Sequence, residues 1–215
     1  MSHLRRLPIP ILLALGGCAG LLRSNQPAVQ LYTLQAPGVA AAGAAAVTMP
    51  AAGPTLRIAR PLPAPGLNTD RIALLRSGNR LDYYTGGRWS GPLADLVADL
   101  ELATLRGDPA WSAVADERAG LNADYVLHSS IAAFAAEYAT DAGPPTARVS
   151  LQCLLVRRSD GALLGEFPVT ASQVAQENRM SSVIAAFSLA AGRAAGAVAT
   201  QLDQLVRSAK SPAAP

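Results

Sequence analysis

Thr146-Ala147-Arg148-Val149-Ser150-Leu151-Gln152-Cys153-Leu154-Leu155-Val156-Arg157 is the stretch on which the fold turns. Val149, Leu151, Cys153 and Leu155 alternate with Ser150 and Gln152, a period of two, before Leu154 and Val156 break the pattern by making the second side apolar as well. Such a run predicts a strand in the middle of a sheet, and Cys153 within it reads as a buried small hydrophobe. Ser159-Asp160-Gly161 then forms a tight turn into Leu163–Ser172, where Leu163, Phe167 and Val169 share a face. Pro168 cannot donate to a ladder, which predicts an edge strand or a bulge there. On the other side, Tyr125–Tyr138 is a long extended run. The chain closes with a helix over 181–207, since Met180, Ile184, Phe187, Ala191, Ala194, Val198, Leu202 and Leu205 recur every three or four residues. Its Ala/Gly-rich middle allows close approach to whatever it packs on.

The first half repeats this plan. Val29–Leu34, Leu56–Arg60, Arg71–Leu75 and Arg80–Thr85 are predicted strands, the last two joined through Ser77-Gly78-Asn79. After Trp89, Leu93, Leu96, Val97 and Leu100 fall at helical spacing while Asp95 and Asp99 face away. Ser90 or Gly91 can cap this helix, Pro92 suits its first turn and Gly107 its end. Trp111–Val114 is a further short strand. Together these elements predict an α/β fold: a single layered domain, with a mixed, mostly antiparallel sheet and two helices packed on one face.

The N-terminus carries an address. His3, Arg5 and Arg6 precede an apolar run, Leu7–Leu15, that is short of the ~20 residues needed to span a bilayer. Leu15-Gly16-Gly17-Cys18 follows and resembles the lipobox of bacterial lipoproteins, with Gly16 where Ala, Ser or Thr is usual. Residues 1–17 are thus expected to be a cleaved signal peptide and Cys18 an acylated first residue; the competing reading is an exported protein cut near Gly17. Each buried methylene contributes about 0.8 kcal/mol, so several acyl chains anchor durably. Ala19 follows the cysteine, where enterobacterial lipoproteins kept at the inner membrane carry Asp. By that resemblance the expected location is the periplasmic face of the outer membrane. Residues 18–28 form a tether reaching at most ~35 Å. Residues 29–207 form the domain, with an Ala/Gly-rich insertion at 36–54, and 208–215 read as a disordered tail.

Composition removes several function classes. Losing Arg5 and Arg6 with the signal takes the net charge from +3 to +1, and the remaining arginines are scattered, so nucleic acid is not an expected partner. His128 is the one histidine of the mature chain, and no Cys/His/Asp spacing suggests a metal. Ser90 in Gly87-Arg88-Trp89-Ser90-Gly91 is one place off a hydrolase elbow. No Gly-rich phosphate loop is present. The expectation is a protein that is not an enzyme and has no cofactor, with no catalytic residues. Asp70-Arg71 reads as a solvated pair.

Three stretches carry a family resemblance: Gln30-Leu31-Tyr32-Thr33-Leu34; Arg60-Pro61-Leu62-Pro63-Ala64-Pro65-Gly66-Leu67-Asn68-Thr69-Asp70-Arg71-Ile72; and Leu81-Asp82-Tyr83-Tyr84 with Trp89 before a leucine-rich helix. In that order behind a lipobox, they resemble the ABC-type transport auxiliary lipoproteins, the family of the paraquat-inducible operon lipoprotein. The resemblance runs from Gln30 to about Leu205. It implies a non-catalytic partner of a transporter built from an MCE-domain protein with separate permease and ATPase chains, moving lipids between the inner and outer membranes. A ring- or tube-shaped partner leaves a homo-oligomer open. The alternatives are a generic envelope scaffold acting in cell-wall or outer-membrane biogenesis, and a small lipid carrier with a closed apolar cavity. For partner docking the candidates are Pro61, Pro63 and Pro65, in a stiff segment not expected to join a sheet, with Tyr84 and Trp89 as aromatics having polar tips.

Overall fold

The computed structural model describes residues 29–35, 53–140 and 143–210. The expected signal segment, Cys18, the tether, residues 36–52 of the expected insertion and 211–215 of the expected tail lie outside them. The elements are β1 (Gln30–Tyr32), β2 (Thr55–Ile58), β3 (Leu62–Pro63), β4 (Arg71–Arg76), β5 (Arg80–Trp89), α1 (Leu93–Arg106), β6 (Ala113–Asp116), a 3-10 turn at Glu117–Ala119, β7 (Tyr125–Glu137), β8 (Thr146–Arg157), β9 (Leu163–Val174) and α2 (Met180–Lys210).

All nine strands belong to one sheet built around β7. One edge of β7 pairs antiparallel with β8, from Tyr125↔Arg157 to Glu137↔Thr146, and β8 pairs antiparallel with β9. The other edge takes β2, β3 and β4 in succession, all parallel. β6 lies beyond β2; β5 and then β1 lie beyond β4. The sheet is therefore mixed, with long antiparallel and short parallel ladders. An irregularity between Ile131 and Ala133 changes which side of β7 faces inward, so Leu127 and Ile131 are buried before it and Phe134 and Ala136 after it.

Both helices lie on one side of the sheet, in contact with each other. α2 is long and apolar enough to cross a membrane by length and composition. In the fold its apolar stripe, Val183, Phe187, Ala191, Ala194, Val198 and Leu202, is buried beneath β8 and β9. Trp89 joins the layers. Its ring meets Phe134 edge-on at 5.8 Å and Phe187 edge-on at 5.4 Å, while Phe134 and Phe187 stack at 5.1 Å.

Several local expectations are corrected. The N-cap of α1 is Pro92, with no side-chain cap; the orphan Leu93 N–H donates instead to the Thr69 carbonyl at 3.1 Å. β5 runs on to Trp89 because β1 pairs with Gly87–Trp89. At Gly87 a Cβ would lie 2.8 Å from the Tyr32 ring, so only glycine admits this approach. The strand expected at Trp111–Val114 begins at Ala113 because a turn around Asp108 holds the preceding residues, the Ala110 N–H donating to its carboxylate at 2.9 Å. α2 continues through Ser208–Lys210, which takes these residues out of the expected tail. Pro168 lies in β9, which pairs only with β8 among the described residues.

Trp89→Ala should cost about 3–5 kcal/mol, since it opens a cavity where three elements meet. Urea unfolding followed by circular dichroism checks this against Leu163→Ala, whose side chain is 56% exposed. Equal losses from the two substitutions would remove Trp89 from its central role.

Candidate functional site

The segment from Arg60 to Ile72 is a loop held down at both ends. At its start, Arg60 Nε donates to Asp95 Oδ1 on α1 at 2.8 Å, and this bond holds the Asp95 carboxyl below its ordinary range. At its end, the Thr69 carbonyl accepts from Leu93 N, and the Asp70 carbonyl accepts from Trp89 N at 2.7 Å. In the middle, Tyr83 Oη donates to the Gly66 carbonyl at 2.8 Å. Gly66 has φ 85°, and a Cβ there would lie 2.7 Å from Leu81.

The expectation that the proline segment stays out of the sheet is wrong. Leu62 and Pro63 pair with Ser130 and Ile131 of β7, and Ala64 N donates to the Ile131 carbonyl at 2.9 Å. N–H directions alternate along an extended chain, so with Ala64 N facing β7 the prolines at 61 and 63 place their missing donors on the other side, while Pro65 lies in the turn closed by Leu67 N on the Ala64 carbonyl.

Of the residues expected to dock a partner, Trp89 is 1% exposed and Pro61 is buried; both serve the core. Tyr84 is half-buried. Its hydroxyl is 2.9 Å from that of Tyr138, which in turn donates to Asn178 Oδ1 at 2.8 Å. Burial pushes the Tyr84 phenol well above its ordinary value. Pro63 is half-buried and Pro65 exposed. Exposed beside them are Leu62, at 68%, and Leu81, at 37%, which sequence alternation alone could have marked as outward. Tyr83 is half-buried, with the Arg71 guanidinium 3.8 Å above its ring. Asp70 and Arg71, expected as a solvated pair, turn to different partners: Asp70 pairs with Arg88 at 2.9 Å, while Arg71 lies over Tyr83.

Two surface clefts carry charged side chains in their lining. A cleft of about 80 Å³ between α1 and the 3-10 turn is lined by Arg60, Asp95, Asp99, Asp116, Glu117 and Arg118 over Ile58 and Leu102. A more open one, of about 390 Å³, lies at Asp124, Tyr125, Arg157 and Arg158. There Thr55 donates both its N–H and its hydroxyl to Asp124 at 2.8 Å, holding that carboxyl below its usual range.

A buried polar cluster was missed in the sequence. Glu101 on α1 is 1% exposed; its Oε1 accepts from Ser129 Oγ of β7 at 2.8 Å, and the Cys153 Sγ of β8 lies 3.8 Å from the same hydroxyl. Burial pushes the Glu101 carboxyl up to about 7 and the Cys153 thiol up to about 12. The signal was present: Leu93, Val97, Glu101 and Leu105 form one i, i+4 row, which puts Glu101 in the apolar stripe. His128 points to the exposed face of β7, away from this cluster. Among the described residues, no group of three His, Cys, Asp or Glu side chains could hold a metal ion.

Among solved structures, a Xanthomonas campestris protein is 20% identical with TM-score 0.67, the match covering 85% of this chain and 95% of that one. An uncharacterized protein is 15% identical with TM-score 0.63, over 81% and 98%. A hypothetical protein from Chlamydia trachomatis is 10% identical with TM-score 0.51, over 73% and 99%. At these identities the likeness establishes a shared fold. Among curated proteins, none matches this chain in sequence. The sequence profile of the ABC-type transport auxiliary lipoprotein component family matches residues 32–199, from within β1 through most of α2, and this chain belongs to that family.

Proposed function

We propose that the protein is a non-catalytic outer-membrane lipoprotein that serves an MCE-type ABC system moving lipids between the two membranes. The family match over residues 32–199 carries this reading. Acylated Cys18, bearing palmitate among its chains, is its anchor on the periplasmic face, and the permease and ATPase are separate chains. An anchor at Cys18 leaves only 10 residues before the domain begins at Val29, so the domain works close to the membrane surface. The role is mechanical: holding the outer end of a lipid conduit.

The packing favours a surface role over a carrier role. Trp89, Phe134 and Phe187 fill the space between sheet and helices, and the two clefts are lined with charged side chains. Partner docking is assigned to the loop surface formed by Leu62, Pro65 and Leu81, with Pro63 and Tyr83 at its margin. Exposed apolar residues on a stiff, bonded loop lose little conformational freedom on binding.

Cys18→Ala should abolish palmitate labelling and release the protein from membranes; continued labelling would sink the anchor. Affinity capture from cross-linked envelopes should recover an MCE-domain protein. The double substitution Leu62→Asp and Leu81→Asp should reduce that recovery at least roughly tenfold, the effect of losing about 1.4 kcal/mol of binding, with membrane attachment intact. Recovery of cell-wall enzymes alone would replace the transport reading with a general envelope scaffold.

A further inference from the structure

Glu101 is the one carboxylate that the fold hides among the described residues, and the docking role does not use it. It sits on the buried stripe of α1, over β7 and β8. One carboxyl oxygen accepts from Ser129; the other, Oε2, has no partner. The groups facing it are few. β7 presents Ser129 and turns His128 and Ser130 to the opposite, exposed face. β8 presents Cys153, a thiol that stays neutral. The buried residues of α2, β2 and β6 are apolar. On α1 itself, Asp99 is exposed and Asp95 is engaged by Arg60 and Arg118. An ionised carboxylate there would have one donor and no counter-ion, whereas a protonated one is tolerated.

We propose that α1 is seated on the sheet by a protonated Glu101 and loosens when that carboxyl ionises, which makes the helix a pH-responsive element of the fold. The consequence reaches the surface because α1 clamps both ends of the 60–69 loop, through Asp95 with Arg60 and through Leu93 N with the Thr69 carbonyl. The gating stands on the described residues alone; its effect on docking rests on the function proposed above.

The sign follows from where the proton is held. Burial raises the carboxyl from 4.5 to about 7, while an opened α1 returns it to water. The closed state therefore binds the proton more tightly. Its advantage is complete below about pH 4.5 and is lost as pH rises through about 7.

Hydrogen exchange on the full-length protein, corrected for the intrinsic effect of pH on exchange, tests this. Between about pH 5 and about pH 8 the opening equilibrium of 93–106 should rise at least roughly tenfold, the factor carried by one unit of pKa difference. The middle of α2 should stay unchanged. Glu101→Gln should flatten the response, because the amide does not titrate. Ser129→Ala should instead move it to higher pH, because the Ser129 bond favours the ionised form. Wild-type protection of α1 that is constant with pH, or a Glu101→Gln protein that keeps the wild-type slope, would overturn the gating. Should Glu101→Gln fail to fold, an unchanged midpoint in Ser129→Ala overturns it. Loop amides of Leu62, Ala64, Gly66 and Leu67 that stay protected while α1 opens would overturn the coupling alone. Failure to capture an MCE protein would count against the docking role and leave the gating standing.

Discussion

β7 has to satisfy both of its edges over thirteen residues, and the rest of the architecture follows from how it does so. A buried strand cannot leave N–H and C=O groups unpaired. On one side β8 supplies a continuous antiparallel ladder from the next segment of chain. On the other, the chain provides three short parallel pieces, β2, β3 and β4, from the first half of the sequence. These pieces succeed one another in the same direction along that edge, so the chain between them leaves the ladder and rejoins it further along. The loop at 64–70 is one such detour. Its exposure is a by-product of pairing β3 and β4 to the same edge.

α1 makes the detour rigid. It covers the sheet next to this loop and bonds to Arg60 just before β3 and to Thr69 at the loop's end, so the geometry of 60–69 depends on helix position. A helix held only by apolar contacts would be indifferent to conditions in the envelope. Glu101 puts an acid into that contact, with a hydroxyl as its single donor. Replacing such a group by an apolar residue is often neutral or stabilising, so its presence asks for a reason beyond stability. Coupling loop rigidity to protonation is one that the geometry supplies.

Legibility in the sequence tracked how local the cause was. β8 was read to its exact bounds because its alternation is internal, and α2 nearly so because its stripe is long. Pro168 gave its edge position because a missing donor is a property of one residue. β3 was not legible. Three prolines in five residues argue against a strand until it is known that one edge alone needs donors and that Pro61 and Pro63 alternate away from it. Trp89 and Tyr84 have the polar tips that suit interfaces, which is all the sequence shows of them. Their burial is decided by Phe134, Phe187 and Tyr138, which lie 45, 98 and 54 residues further along the chain from Trp89, Trp89 and Tyr84 respectively. Glu101 was overlooked because the helix was read for its apolar members and its obvious acids, and the acid within the apolar row was passed over.

The N-terminal strand and the core are bonded directly. β1, the first described strand, pairs with Gly87–Trp89, so it is bonded to the strand that ends in the central tryptophan. Ser90 N donates to the Tyr32 carbonyl at 2.7 Å, extending this link to the threshold of α1. β1 is three residues long and a side chain at Gly87 would collide with Tyr32, so the link is short but fixed in register. A pull on the N-terminal segment is thus delivered to the sheet beside Trp89 and not to a loose terminus. β1, the loop and the core are thereby joined: β1 through its pairing with β5, the loop through α1, and both through the packing of Trp89 on Phe134 and Phe187.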